Sequence, residues 1–126
     1  MKRIIQTKNA PAAIGPYSQG VAGGGFLYIS GQLGIDAESG QLAAGVEAQA
    51  RRSLENIKAI LAEAGITTAD VVRTGIFLRD LHNFQKVNSI YAEFFASDYP
   101  ARSTIEVSGL PRDAEVEIEA VALLRD

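Results

Sequence analysis

Pro100-Ala101-Arg102-Ser103-Thr104-Ile105-Glu106-Val107 is the stretch on which the fold turns. A proline and a small residue close a loop, and an arginine then opens a β-branched run. The run alternates with period 2, so Arg102, Thr104 and Glu106 face one way and Ser103, Ile105 and Val107 the other. An arginine at the first residue of a strand stands at a sheet end, where clefts form. Its planar fork matches a carboxylate or phosphate in bidentate fashion. The residues alone leave two readings open: an anion grip in a cleft, or a surface ion pair. A second strand follows at 115–124, with Glu115, Glu117 and Glu119 on one face. Like charges so crowded raise the pKa of one of them or take cationic partners, and Arg102 is a candidate partner.

Upstream, Val71 to Arg79 reads as a strand with Val72, Ile76 and Leu78 on one side and Val71 and Phe77 on the other. Apolar residues at both parities predict burial on both faces. Gly75 within it marks a close approach of a ligand or another backbone. Between this strand and Pro100, Asp80 or Asn83 caps a helix with Phe84, Val87, Tyr91 and Phe94 or Phe95 on its apolar stripe. An earlier helix spans about Gly45 to Ala64, where Val46, Ala50, Leu54, Ile57, Leu61 and Ala64 recur at spacings of three and four. Gly65 suits a left-handed residue just past its end, with Ile66 folding back on Leu61.

The N-terminal part reads as strands at Arg3–Thr7, Tyr17–Ala22 and Phe26–Ser30, with a turn at Gly23-Gly24-Gly25. The proline-containing stretch 8–16 is a loop. The order is β-β-β-α-β-α-β-β, an α+β domain with a six-stranded sheet. Right-handed crossovers put both helices on one sheet face. The other face would leave a large apolar patch in water, which a closed ring of heterologous contacts would bury.

A length of 126 residues predicts one domain over 1–126. The net charge of −3 offers no general attraction to nucleic acid or to an anionic membrane. No apolar run reads as a signal peptide or a spanning helix. With no cysteine there is no thiol nucleophile, and a reducing, cytoplasmic setting is expected. The single histidine, His82, reads as a surface or capping residue rather than a triad member, and no His or Cys cluster points to a metal.

Proline-Ala-Arg at 100–102 with Ser103 to Val107, then Leu110-Pro111 and Glu117-Ile118-Glu119-Ala120-Val121-Ala122, resembles the signature of the RidA (YjgF) family of enamine and imine deaminases. Asn9-Ala10-Pro11, Ile14-Gly15-Pro16-Tyr17-Ser18-Gln19-Gly20, Ser30-Gly31-Gln32 and the stretches Asn56–Leu61 and Ala64-Gly65 are similar to further blocks of that family. The resemblance implies a chorismate-mutase-like mixed sheet in which strand 115–124 lies between 26–30 and 71–79. It implies a homotrimer with clefts at the subunit interfaces.

The resemblance also assigns roles. Arg102 would grip the substrate carboxylate and Glu117 would orient the attacking water. Ser30, the Gly31 backbone N–H, Tyr17 and Asn88 would line the cleft. Thr104 stands there where several members carry cysteine, and Gly75 where many carry a larger residue. The implied substrates are 2-aminoacrylate, 2-iminobutanoate and related imines, with 2-oxo acids and ammonia as products and no cofactor. Two rivals are an endoribonuclease or translation inhibitor, and a carboxylate-sensing or chaperone-like trimer without turnover. The acidic balance and the lack of a basic or aromatic stripe count against nucleic acid. Glu117 counts against a pure carboxylate binder.

Overall fold

A computed structural model describes residues 1–125. The strands are β1 (Arg3–Ile5), β2 (Gly20–Gly23), β3 (Phe26–Leu33), β4 (Val71–Leu78), β5 (Ala101–Glu106) and β6 (Val116–Leu123), with helices α1 (Val46–Glu63) and α2 (Phe84–Phe95). They form one six-stranded sheet in the order β1-β2-β3-β6-β4-β5. Only the β4–β5 pair is parallel among the described neighbours. Strand β6 lies between β3 and β4, as the family resemblance implied, and the last two strands do not pair as a hairpin.

Both helices cover one sheet face. Leu54, Ile57, Ile60 and Leu61 of α1 are fully buried against Leu27, Ile76, Leu78, Val116 and Ile118 of the sheet. Each such side chain stabilises the fold by roughly 1.5–3 kcal/mol. Helix α1 ends as expected. Gly65 is left-handed (φ 78°), its N–H bonds the Ala62 carbonyl, and the Ile66 N–H bonds the Leu61 carbonyl. The β2–β3 hairpin turns on Gly24 and Gly25, both with positive φ.

Three expectations are corrected. The Tyr17–Ala22 strand starts only at Gly20, because Tyr17 to Gln19 are held by a local turn and by side-chain bonds to the N-terminal loop. A bulge between Val71 and Arg73 shifts the parity of β4. Val71 therefore joins Thr74, Ile76 and Leu78 beneath the helices, while Val72 is 36% exposed. Strand β4 is thus buried on one face by its own chain, and Arg73, Gly75 and Phe77 take the other. Lastly, Asp80 caps a short 3-10 turn, Leu81–Asn83, rather than α2, and Asn83 makes no side-chain cap.

Helix α1 carries a second, polar stripe. Ser53 Oγ donates to the Gln32 carbonyl at 2.7 Å, and Asn56 Nδ2 to the Leu33 and Ile35 carbonyls at 3.1 and 2.9 Å. Gln49 joins the Ala43 carbonyl to the Glu115 N–H. These bonds satisfy backbone groups where β3 leaves the ladder. Gly34 makes the fit possible, since a Cβ there would lie 2.4 Å from Gln49 Cα and its carbonyl oxygen. Gly34→Ala is therefore expected to destabilise the protein by about 2–3 kcal/mol, as overpacking against rigid backbone does. A urea titration checks this, and an unchanged midpoint would mean that the β3–α1 contact is slack.

Candidate active site

Strand register sorts the expected site residues onto two faces. Glu117 lies opposite Phe77 and next to Leu33, on the sheet face away from the helices. It lines a cleft of about 540 Å³ with Tyr17, Ser30, Gly31, Glu119 and Arg112. Arg102 and Thr104 lie opposite Thr74 and Ile76, on the helix face of the edge strand β5. There Arg102 and Asn88 share a second cleft of about 430 Å³ with Tyr91, Tyr99 and Pro100. Tyr17, Ser30, Gly31 and Glu117 are thus brought together, as are Asn88, Arg102 and Thr104, but one chain does not bring the two groups together.

The Glu117 cleft is built on a bulge. Ile29 pairs with Ala120 and Gln32 with Ile118, so Ser30 and Gly31 together face Glu119. A Cβ on Gly31 would stand 2.7 Å from Glu117 Cδ, so the glycine is what admits that carboxyl. Gly75 does the same for Glu119, with a notional Cβ 3.0 Å from its Oε2. The close approach expected at Gly75 is thus made by a side chain. Ser30 Oγ donates to the Ser18 carbonyl at 2.6 Å, which leaves its lone pairs to accept. Gln19, 3% exposed, folds the N-terminal loop over this cleft by bonding the Thr7 N–H and the Thr7, Ala10 and Pro11 carbonyls.

The acidic row does not pair with Arg102. Glu119 lies 3.8 Å from Arg73, and Glu115 lies 3.9 Å from Arg79. Glu117 has no cation within ion-pair distance among the described residues. Burial pushes its carboxyl above the usual range, and the charge of Glu119 adds to the shift.

In the other cleft, the Arg102 guanidinium sits 4.8 Å from the centre of the Tyr91 ring and 5.6 Å from that of Phe84. Among the described residues it has no ion pair, which removes the surface-pair reading within the chain. Thr104 Oγ1 is buried without a hydrogen-bond partner in the same small cavity as Arg102, Asn88 and Phe84. His82 is exposed, with Nδ1 2.9 Å from Asp80 Oδ1, as a capping role requires.

Sequence reasoning missed Gln19, Gly34 and the stripe Gln49, Ser53 and Asn56. The signal for the stripe was there: spacings of four and three put it on one helical face.

An α+β fold with two clefts, one carboxylate-bearing and one arginine-bearing, sets the class, and the comparisons with known proteins name it. The protein-family model described as endoribonuclease L-PSP matches residues 7–124. The 2-iminobutanoate/2-iminopropanoate deaminase of Salmonella typhimurium is 49% identical over 128 aligned positions, covering 99% of this chain and 100% of the relative. The crystal structure of a conserved Rid family protein of unknown function from Yersinia pestis superposes with a TM-score of 0.96 at 48% identity, covering 98% of this chain and 100% of that one. Escherichia coli TdcF, solved with bound serine, superposes with a TM-score of 0.94 at 43% identity, covering 98% and 99%. The chain belongs to the RidA (YjgF) family, which carries the endoribonuclease L-PSP description.

The raised pKa of Glu117 has a consequence for stability. The folded state holds this proton more tightly than the unfolded chain does. The group's favourable contribution is therefore complete below the unfolded pKa, about 4.3, and is lost as pH rises through the folded value. Glu117→Gln is expected to resist urea better than the parent near pH 7, with an advantage that shrinks towards about pH 4. Paired titrations at fixed chain concentration test this, and a variant less stable than the parent at neutral pH would contradict it.

Proposed function

We propose that this chain is a deaminase of reactive 2-imino acids, hydrolysing 2-iminobutanoate, the imine form of 2-aminoacrylate and related compounds to 2-oxo acids and ammonia. One observation carries the reading: each cleft presents a charged group with no ion-pair partner among the described residues, Arg102 in one and Glu117 in the other. A carboxylate-bearing substrate that must also be attacked by water needs both.

The arginine fork holds the substrate carboxylate in two parallel N–H···O bonds. Glu117, as carboxylate, orients water and takes its proton while the water oxygen bonds to C2 and the C=N π electrons move to nitrogen. The proton passes to nitrogen, giving a 2-amino-2-hydroxy acid. The hydroxyl proton then moves to nitrogen, the C–N bond breaks with its electron pair on nitrogen while an oxygen lone pair forms C=O, and ammonia leaves behind the 2-oxo acid. One imine and one water become one ketone and one ammonia, with no oxidant or reductant. Burial and the charge of Glu119 raise the Glu117 pKa, which makes its carboxylate a stronger base than an ordinary one. Ser30 Oγ can accept from the substrate N–H, and the unpartnered Thr104 hydroxyl can bond the bound carboxylate. Imines hydrolyse unaided, so orientation and charge stabilisation on the order of a few kcal/mol suffice.

Within one chain the two groups point away from each other through the sheet. A site holding both needs the Arg102 face of one copy against the Glu117 face of another. The Glu117 face carries exposed Ile4, Tyr28, Ile105 and Leu123, an apolar surface that such a contact would cover. The contact is heterologous, and such contacts form a ring where their rotation closes, as the family resemblance implies for three copies. We place it as a homotrimer of 1–126 domains acting in the cytoplasm on damaging metabolites, without a cofactor.

Arg102→Ala is expected to cut turnover about a hundredfold or more, and Arg102→Lys not to restore it, since lysine lacks the fork. Glu117→Gln should still bind 2-oxobutanoate yet hydrolyse imines far more slowly, while Glu119→Gln stays active. A coupled assay with a dehydratase and a calorimetric titration read these. Equal rate losses at 117 and 119 would remove Glu117 from the chemistry. Co-assembling inactive Arg102→Ala and Glu117→Gln chains should rebuild about a quarter of the sites, because one interface then joins two intact halves. No recovery, or a stable monomer by light scattering, would overturn the shared site.

A further inference from the structure

We infer that Tyr91 and Phe84 are positioning residues for Arg102, a two-ring seat that fixes the guanidinium before substrate arrives, with Thr74 locking the deeper ring. This rests on the reading of Arg102 as the carboxylate grip. Phe84, Asn88 and Tyr91 are spaced four and three apart on α2, so they share one helix face, and that face looks onto β5. The guanidinium lies within cation–π reach of both rings. A ring attracts the flat face of a guanidinium, while its hydrogen bonds are made in the plane. The seat therefore holds the group without occupying the N–H fork.

Tyr91 is itself held. It is 3% exposed, and its hydroxyl lies 2.6 Å from Thr74 Oγ1, a side chain that is fully buried. Thr74 stands opposite Arg102 in the β4–β5 register, so ring and arginine are referenced to the same rung of the sheet. Burial raises the phenol above its usual pKa despite the pull of Thr74 and Arg102, so the ring stays neutral and acts through its face. Arginine on an edge strand otherwise samples many rotamers, and ordering it on binding would weaken affinity.

The test is a comparison of Kd for 2-oxobutanoate and for its uncharged carboxamide by calorimetry. The preference for the acid reports the arginine grip; a general loss of structure would weaken both ligands alike. Tyr91→Leu should narrow the preference about tenfold, the worth of a partly desolvated cation–π contact. Tyr91→Phe keeps the ring but removes the bond to Thr74, so it should narrow the preference by a measurable but smaller factor than Tyr91→Leu, as should Phe84→Leu. In an Arg102→Ala background Tyr91→Leu should change nothing further. A Tyr91→Leu variant that weakens both ligands equally would make the ring merely structural and overturn the seat. If that variant does not fold, Phe84→Leu decides, and an unchanged preference there overturns it. An Arg102→Ala chain that still prefers the acid would instead remove the grip itself, and the seat with it.

Discussion

The Glu117 carboxyl lies in the space left by the missing Cβ of Gly31, at a bulge where two residues of β3 face one of β6. Much of the candidate site follows from that contact. The bulge would be loose without support, because its backbone groups leave the regular ladder. Ser53 and Asn56 of α1 supply the support by accepting no apolar compromise: they are buried in order to donate to the Gln32, Leu33 and Ile35 carbonyls. The same packing keeps Glu117 short of water and next to Glu119, and so raises its pKa. Helix position, backbone irregularity and carboxyl chemistry are three links of one chain of causes.

Strand parity then divides the labour. Residues opposite one another across a ladder share a face, so Arg102 goes with Thr74 and Glu117 with Phe77. Flexible side chains do not undo that division, since the sheet itself stands between the two groups. The arginine is left facing aromatic rings and the glutamate facing a bulge, each without a counter-ion among the described residues. Charges so placed cost stability in the isolated chain. In the proposed assembly a second copy and a carboxylate-bearing substrate would restore the balance.

The sequence was legible where one short-range rule decided. Gly65 ended α1, the glycines at 24 and 25 turned the hairpin, and the periodicity of Leu54, Ile57 and Leu61 marked the buried stripe. It was illegible where a residue's surroundings came from a distant element. The bulge at Val71–Arg73 has no local signature, yet it moved Val71 under the helices and turned Val72 outward. The position of β6 between β3 and β4 came from family resemblance, because period-2 alternation alone also permits a hairpin with β5. For the candidate site, the residues named were those the resemblance implied. Their partition onto two faces was readable in principle from parity alone, had the strand order been known first. The polar stripe on α1 had no apolar periodicity to mark it, and its partners lie on the distant β3 strand and the loop after it.

A divided site fits the chemistry asked of it. The barrier to imine hydrolysis is low, so no strong nucleophile, metal or tuned dyad has to be assembled within one core. What the reaction does need is that substrate and water meet in one orientation. In the proposed ring two rigid surfaces would meet, each fixed by its own fold. Arg102 stands on a strand of the sheet and is stacked on rings of α2, while Glu117 is fixed by β6, the β3 bulge and α1. In the proposed mechanism the substrate carboxylate would tie one half to the reacting carbon, and the water the other. Thr104 and Asn88 line the arginine side and Tyr17 and Arg112 the glutamate side, so the two linings differ independently of either anchor.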